Sequence, residues 1–277
     1  MSVPSLVRLP ADCTVQDIVE INAEDGAVIV EDWLPGNLLQ KFNAELEPWL
    51  ANHQGTDSGS AASDSFLGLK TRRLQGLVTK TPSFVDILTD TRLNGFAQAV
   101  LEPVAPTTIL NNGELIDIGP GEAAQPLHRD DDAWNFANVN NPLMINSIAA
   151  LVDITPAMGA TLVVPGSHRW EQDRQPQAHE ITACELQAGS ALFFRGDTLH
   201  AGGSNKSQQQ RRALSTGICC GWLRPVENSY TNVPVEAAKA LPPLARQLLG
   251  YSLYDASHKG GGYLGYHEMG DPARLFE

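Results

Sequence analysis

The sequence predicts a mainly β protein with flanking helices, its strands closing into a sandwich or roll. Three observations carry this expectation. From about residue 107 onward, short β-like runs follow one another, punctuated by Gly, Pro, Asn and Asp. Ahead of them, apolar residues recur at helical spacing. The chain has 277 residues, 42% hydrophobic and 18% charged, enough for one large core and ordinary for a folded globular protein.

The first expected helix spans Pro35 to Leu50, with Leu38, Leu39, Phe42, Leu46 and Leu50 on one face. Gly55 to Ser65, rich in Ser, Asp, Gly and Ala, reads as a mobile loop. A second helix is expected from Phe84 to Leu101. The strands expected are Glu114–Ile118, Leu143–Ile154, Thr161–Val164, Glu180–Leu186, Ala191–Phe194 and Arg211–Trp222. Val235 to Leu249 reads as a last amphipathic helix closed by Gly250. The organisation expected is one domain over 1–277. A helical part runs to about 105, a β-roll from about 106 to 225, and a helix and tail from about 226.

The net charge of -13, from 32 acids and 19 bases, argues against nucleic acid or an anionic membrane as partner. Cys13, Cys184, Cys219 and Cys220 form no Cys-x-x-Cys pair and read as reduced, buried thiols. No secretory signal and no apolar run of membrane length is visible, so the expected compartment is the cytoplasm.

The sharpest signal is Gln125-Pro-Leu-His128-Arg-Asp130. On a strand, residues two apart share a face, so His128 and Asp130 project together. An imidazole and a carboxylate are two of the three ligands of a facial metal site. His200, in Asp197-Thr-Leu-His200-Ala-Gly-Gly203, follows an apolar strand and is the best third ligand. Asp197 can in principle replace Asp130 but lacks the strand-face partner. Cupin sites for zinc or manganese use similar ligands, so these three residues do not by themselves fix the metal.

An acidic co-ligand at such a centre needs a buried cation, best an arginine fork. Arg211 and Arg212 are adjacent on a strand. Arg211 shares its face with Ala213, Ser215 and Gly217; Arg212 shares its face with Leu214, Thr216 and Ile218. The small, polar face leaves room for a ligand, which favours Arg211. His168, in Pro165-Gly-Ser-His168, has a turn signature.

Gln125-Pro-Leu-His128-Arg-Asp130, Gly159-Ala-Thr161-Leu-Val-Val-Pro-Gly-Ser-His168, His200-Ala-Gly-Gly203 and Arg211-Arg-Ala-Leu-Ser215, in this order and spacing, resemble the phytanoyl-CoA dioxygenase family of Fe(II)/2-oxoglutarate oxygenases. Gly221-Trp-Leu-Arg-Pro-Val-Glu-Asn228 and Leu248-Leu-Gly-Tyr251 resemble its fungal natural-product branch. The resemblance implies a double-stranded β-helix, the cupin-like jelly roll. It implies Fe(II) on His128, Asp130 and His200, with 2-oxoglutarate and O2 as cosubstrates. It implies Arg211 as carboxylate anchor, with Thr161 and Gln125 as further contacts. Gln75 resembles an amide donor of this branch and reads equally well as a surface glutamine. A homodimer is implied, with Lys259 to Gly265 reaching across the partner. The substrate implied is an apolar, polycyclic terpenoid or alkaloid that is hydroxylated, desaturated, rearranged or cyclised. Trp134, Phe136 and Trp222 are candidate pocket walls, with Asp130 to Asn141 and the tail after Tyr251 as candidate covers. Asp131 and Asp132 are expected in the loop over the site. The same class acting on an acyl-CoA or small metabolite, and a cupin-type metal enzyme that is no oxygenase, are the alternatives.

Overall fold

The structure, a computed structural model, describes residues 5–53, 55, 58–135 and 141–277. Its strands, numbered along the chain, are β1 (Arg8–Leu9), β2 (Ala27–Val30), β3 (Thr71–Leu74), β4 (Thr108–Ile118), β5 (Met144–Ala150), β6 (Leu162–Val163), β7 (Thr182–Ala183), β8 (Ala191–Arg195), β9 (His200–Ala201), β10 (Arg211–Cys220), β11 (Tyr254–Asp255) and β12 (Tyr263–Leu264). Seven form the main sheet in the order β1-β2-β8-β5-β10-β4-β3, antiparallel except at the β1–β2 edge. A smaller sheet, β7-β6-β9, lies against it, and β11 pairs with β12.

Side-chain alternation on the main sheet builds two cores. Val28, Val30, Ala191 and Phe193 belong to the larger core, shared with helical residues such as Phe42, Leu46, Leu93 and Phe96. Their strand neighbours Ala27, Ile29, Leu192 and Phe194 belong to a second core with Val163, Cys184 and Leu186 of the smaller-sheet side. The main sheet is therefore buried on both faces, helices outside and a second sheet inside. This is the double-stranded β-helix.

The helices are α1 (Val15–Asp25), α2 (Gly36–Leu50), α3 (Ala61–Leu67), α4 (Leu77–Lys80), α5 (Phe84–Leu88), α6 (Thr91–Leu101), α7 (Ser229–Asn232), α8 (Val235–Ala238) and α9 (Pro243–Leu248). Several depart from the sequence reading for identifiable reasons. The expected helix 84–101 is two helices, because Asp90 Oδ1 accepts from the N–H groups of Arg92 and Leu93, each at 3.0 Å, and starts α6 afresh. The expected helix 235–249 is broken at Pro242-Pro243, where neither residue offers an N–H. The stretch 55–65 is not all loop: Ser60 caps α3, although residues 54, 56 and 57 lie outside the described residues. The N-terminal part is not purely helical. Ala27–Val30, four buried apolar residues, is a strand next to β8, and α1 before it begins on a Thr14/Asp17 capping box. The strand expected at 180–186 is reduced to β7, while β4 reaches back to Thr108. No helix among the described residues is long and apolar enough to cross a membrane.

Candidate metal centre

β9 pairs with β6 on one side and meets the segment around His128 on the other. The N–H of each of His128 and His200 donates to the carbonyl of the other, both at 3.0 Å. Residues directly opposite in an antiparallel pair project to the same face. The two imidazoles accordingly lie with ring centroids 4.4 Å apart. The expected strand through His128 and Asp130 ends one residue early. Arg129 is extended and Asp130 opens a 3-10 turn, Asp130–Trp134. That turn carries the carboxylate to the rings: Asp130 Oδ1 is 3.7 Å from His128 Nε2 and 3.6 Å from His200 Nε2. One ligand atom from each of the three residues lies within 4.8 Å of the others.

The tautomers are set from behind. His128 Nδ1 is 3.0 Å from Pro126 O, and His200 Nδ1 is 3.0 Å from Thr198 O. A carbonyl only accepts, so Nδ1 holds the proton and Nε2 presents its lone pair inward. Burial, and then the neighbouring His200, lower the His128 pKa and keep its ring in the neutral, metal-binding form. Asp197 is no competing ligand, because it forms a two-point ion pair with Arg195 at 2.9 and 2.7 Å.

Beside the triad lies a cavity of about 450 Å3, walled by β3, β4, β5, β10, α3 and the Gly202-Gly203 turn. Strand parity places the arginines as expected. Arg211 lines the cavity and is buried; Arg212 sits on the other face, paired with Asp117 and Glu47. Arg211 Nη2 donates to Thr161 Oγ1 at 2.7 Å, its buried Nε has no hydrogen-bond partner, and no carboxylate among the described residues pairs with it. Burial, and then Arg73, lower its pKa to about 10, so it remains a cation at neutral pH. A buried guanidinium lacking an anion, next to two imidazoles and a carboxylate, fits iron plus an anionic co-ligand.

Gln125 also lines the cavity. Its Oε1 accepts from Gly202 N at 2.8 Å and its Nε2 donates to Phe66 O at 2.9 Å, tying α3 to the strand of His200. Phe66 lies edge-on to His128, centroids 4.9 Å apart. Gln75 does not line the cavity. β3 ends at Leu74 and the chain turns at Gly76, φ 71°, so the residue β3 delivers there is Arg73, two positions earlier. Arg73 escaped the sequence reading; its Nη1 donates to Glu114 Oε2 at 2.7 Å and its Nε to Leu67 O at 2.9 Å.

Two of the expected aromatic walls, Trp134 and Trp222, do not line the cavity. Trp134 donates to Arg224 O and Trp222 to Val104 O; both pack on the outer core, and Phe136 lies outside the described residues. The cavity is of mixed polarity, with Asn112, Glu114 and Asn146 beside Ile116, Ile148 and Met144. Asp132 lines it, whereas Asp131 turns away and accepts from Leu143 N and Met144 N at 2.9 and 3.2 Å. Burial pushes the Asp131 pKa up to about 8.

The family model described as phytanoyl-CoA dioxygenase (PhyH) matches residues 23–213. The chain is 32% identical over 262 residues to dioxygenase olcK of Penicillium canescens, covering 92% of this chain and 86% of that one. It is 32% identical over 266 residues to dioxygenase aneA of Aspergillus aculeatus, covering 88% and 85%. Among solved structures, the α-ketoglutarate-dependent carbocyclase SnoK from nogalamycin biosynthesis is similar at TM-score 0.61 and 18% identity, covering 80% and 91%. The epimerase SnoN, solved with Fe3+, α-ketoglutarate and nogalamycin RO, is similar at TM-score 0.59 and 20% identity, covering 75% and 84%. Motif, triad and relatives agree: the chain belongs to the phytanoyl-CoA dioxygenase family and is a non-haem iron, 2-oxoglutarate-dependent dioxygenase.

Proposed function

We propose that His128, Asp130 and His200 hold the iron, that Arg211 and Thr161 receive the far carboxylate of 2-oxoglutarate, and that the substrate is a small natural product of secondary metabolism. The observation that supports this best is Arg211, a buried cation on the cavity wall with no anionic partner among the described residues. When bound, iron and 2-oxoglutarate supply the oxidising chemistry, coupling decarboxylation of 2-oxoglutarate and consumption of O2 to attack on a substrate C–H bond. The chain's residues do the rest. Thr161 Oγ1 accepts from Arg211 and keeps its own hydroxyl proton to donate. Arg73 lies near enough to Arg211 to lower its pKa but is paired with Glu114, so the charge left for the far carboxylate is that of Arg211. Phe66 of α3 packs edge-on against His128 and shields that side of the ring.

The wall composition bears on the substrate. Ile116, Ile148, Met144 and Phe66 offer apolar contact, and Asn111, Asn112 and Asn146 offer hydrogen bonds. This suits a rigid terpenoid or alkaloid that also carries oxygen or nitrogen functions better than a plain hydrocarbon. The fungal relatives, and the nogalamycin RO held by SnoN, support a natural-product substrate. The test is succinate release from 2-oxoglutarate across a panel of terpenoids, alkaloids, acyl-CoA thioesters and amino acids. Stimulation by a terpenoid or alkaloid is expected; a response to the thioesters alone would contradict it.

We also propose a homodimer. The tail exposes Tyr263, Leu264, Tyr266 and Met269 at 45%, 48%, 46% and 81% of their surface, apolar area suited to a second copy. Light scattering at micromolar concentration should give twice the chain mass of 29.9 kDa; the single-chain mass would refute it.

A further inference from the structure

β4 and β10 pair residue for residue until Gly217, which faces Asn112, and Ile218, which faces Leu110. Asn111 is the extra residue of a β-bulge, which turns two consecutive asparagines toward the cavity. Asn111 Oδ1 accepts from Val226 N at 2.9 Å, and its Nδ2 donates to Asn112 Oδ1 at 3.2 Å. Asn112 Nδ2 donates to Ser215 Oγ at 3.4 Å. Ser215 donates to Asn146 Oδ1 at 3.1 Å, and Asn146 Nδ2 donates to Asp130 Oδ2 at 3.2 Å. Asn111, Ser215 and Asn146 are each at least nine-tenths buried, where polar groups are costly unless they are bonded.

The direction of this chain is fixed from both ends. A backbone N–H can only donate, so Asn111 must turn its oxygen to Val226. An ionised carboxylate can only accept, so Asn146 must turn its nitrogen to Asp130. Every amide between obeys the same sense, and no amide can flip alone without placing two donors or two acceptors face to face.

We infer that this one-way relay is a positioning device that keeps Asp130 a single-oxygen ligand. Asn146 holds Oδ2, and Oδ1 is the oxygen that approaches both histidine Nε2 atoms. A carboxylate binding through both oxygens would take one of the open positions that a facial triad leaves for the 2-oxo acid and O2. Asn146 and Ser215 are therefore positioning residues. The inference rests on the iron reading above and deepens it.

The test uses Co(II) as the probe on the full chain, with affinity and visible absorption as readouts and a cooperative thermal transition as the control for folding. Asn146→Leu conserves bulk and removes the donor. It should weaken Co(II) binding at least tenfold, the lower range for losing an outer partner, and alter the Co(II) bands in a protein that still melts in one cooperative transition, at a midpoint lowered because Ser215 loses its acceptor. Ser215→Ala should move both readouts the same way but less, and Ser215→Thr, which keeps the hydroxyl, should restore them. Wild-type affinity and spectrum in Asn146→Leu would overturn the relay while leaving the iron reading intact. No Co(II) uptake by the wild-type chain would overturn both.

Discussion

Arg211→Ala is expected to weaken 2-oxoglutarate binding by about 3 kcal/mol or more, roughly a hundredfold, as removing one member of a buried ion pair does. The side chain is 2% exposed, so a carboxylate arriving there leaves water behind. Without the guanidinium that carboxylate is left unpaired, with Thr161 as its donor and Arg73 as a more distant cation. Arg212→Ala is the matched control. Arg212 pairs with Asp117 and Glu47 on the far face, so its loss should lower stability while leaving cosubstrate affinity within a few-fold of wild type. Calorimetric titration of 2-oxoglutarate into metal-loaded protein under nitrogen checks both. If Arg212→Ala is the more damaging, the face assignment is wrong.

His200→Ala and Asp130→Ala are expected to abolish iron retention. Each supplies one of the three side-chain ligand atoms found among the described residues, so the loss should exceed the roughly 10–100-fold that follows removal of an outer partner. His179→Ala, at an exposed turn, should retain a full complement. The check is metal analysis of protein reconstituted with Fe(II) without oxygen and then desalted. Full occupancy in either ligand variant would remove that residue from the site.

Strand parity made much of this site legible. Arg211 and Arg212 differ by one residue and face opposite sides because the pleat alternates, and the small neighbours Ala213 and Ser215 mark the cavity side. His128 and His200 were readable from their flanking residues, though their direct pairing across two strand segments was not. The errors fall where local breaks override periodicity. Gln75 has the parity of Arg73, but β3 stops before it, and a strand end is set by the Gly76 turn and by Glu227, which binds the Gly76 N–H at 3.0 Å from 151 residues away. The bulge at Asn111 is equally invisible, since nothing in Leu-Asn-Asn-Gly tells which residue lacks a partner on β10. Trp134 and Trp222 misled because a large aromatic side chain is as useful for covering the outer core as for lining a pocket.

A crystal structure of the chain grown with Fe(II) and 2-oxoglutarate in the absence of oxygen tests the central claim most directly. The account predicts an iron anomalous peak between His128 Nε2, Asp130 Oδ1 and His200 Nε2, and 2-oxoglutarate with its far carboxylate on Arg211 and Thr161. Iron bound elsewhere, or 2-oxoglutarate turned away from Arg211, would contradict it.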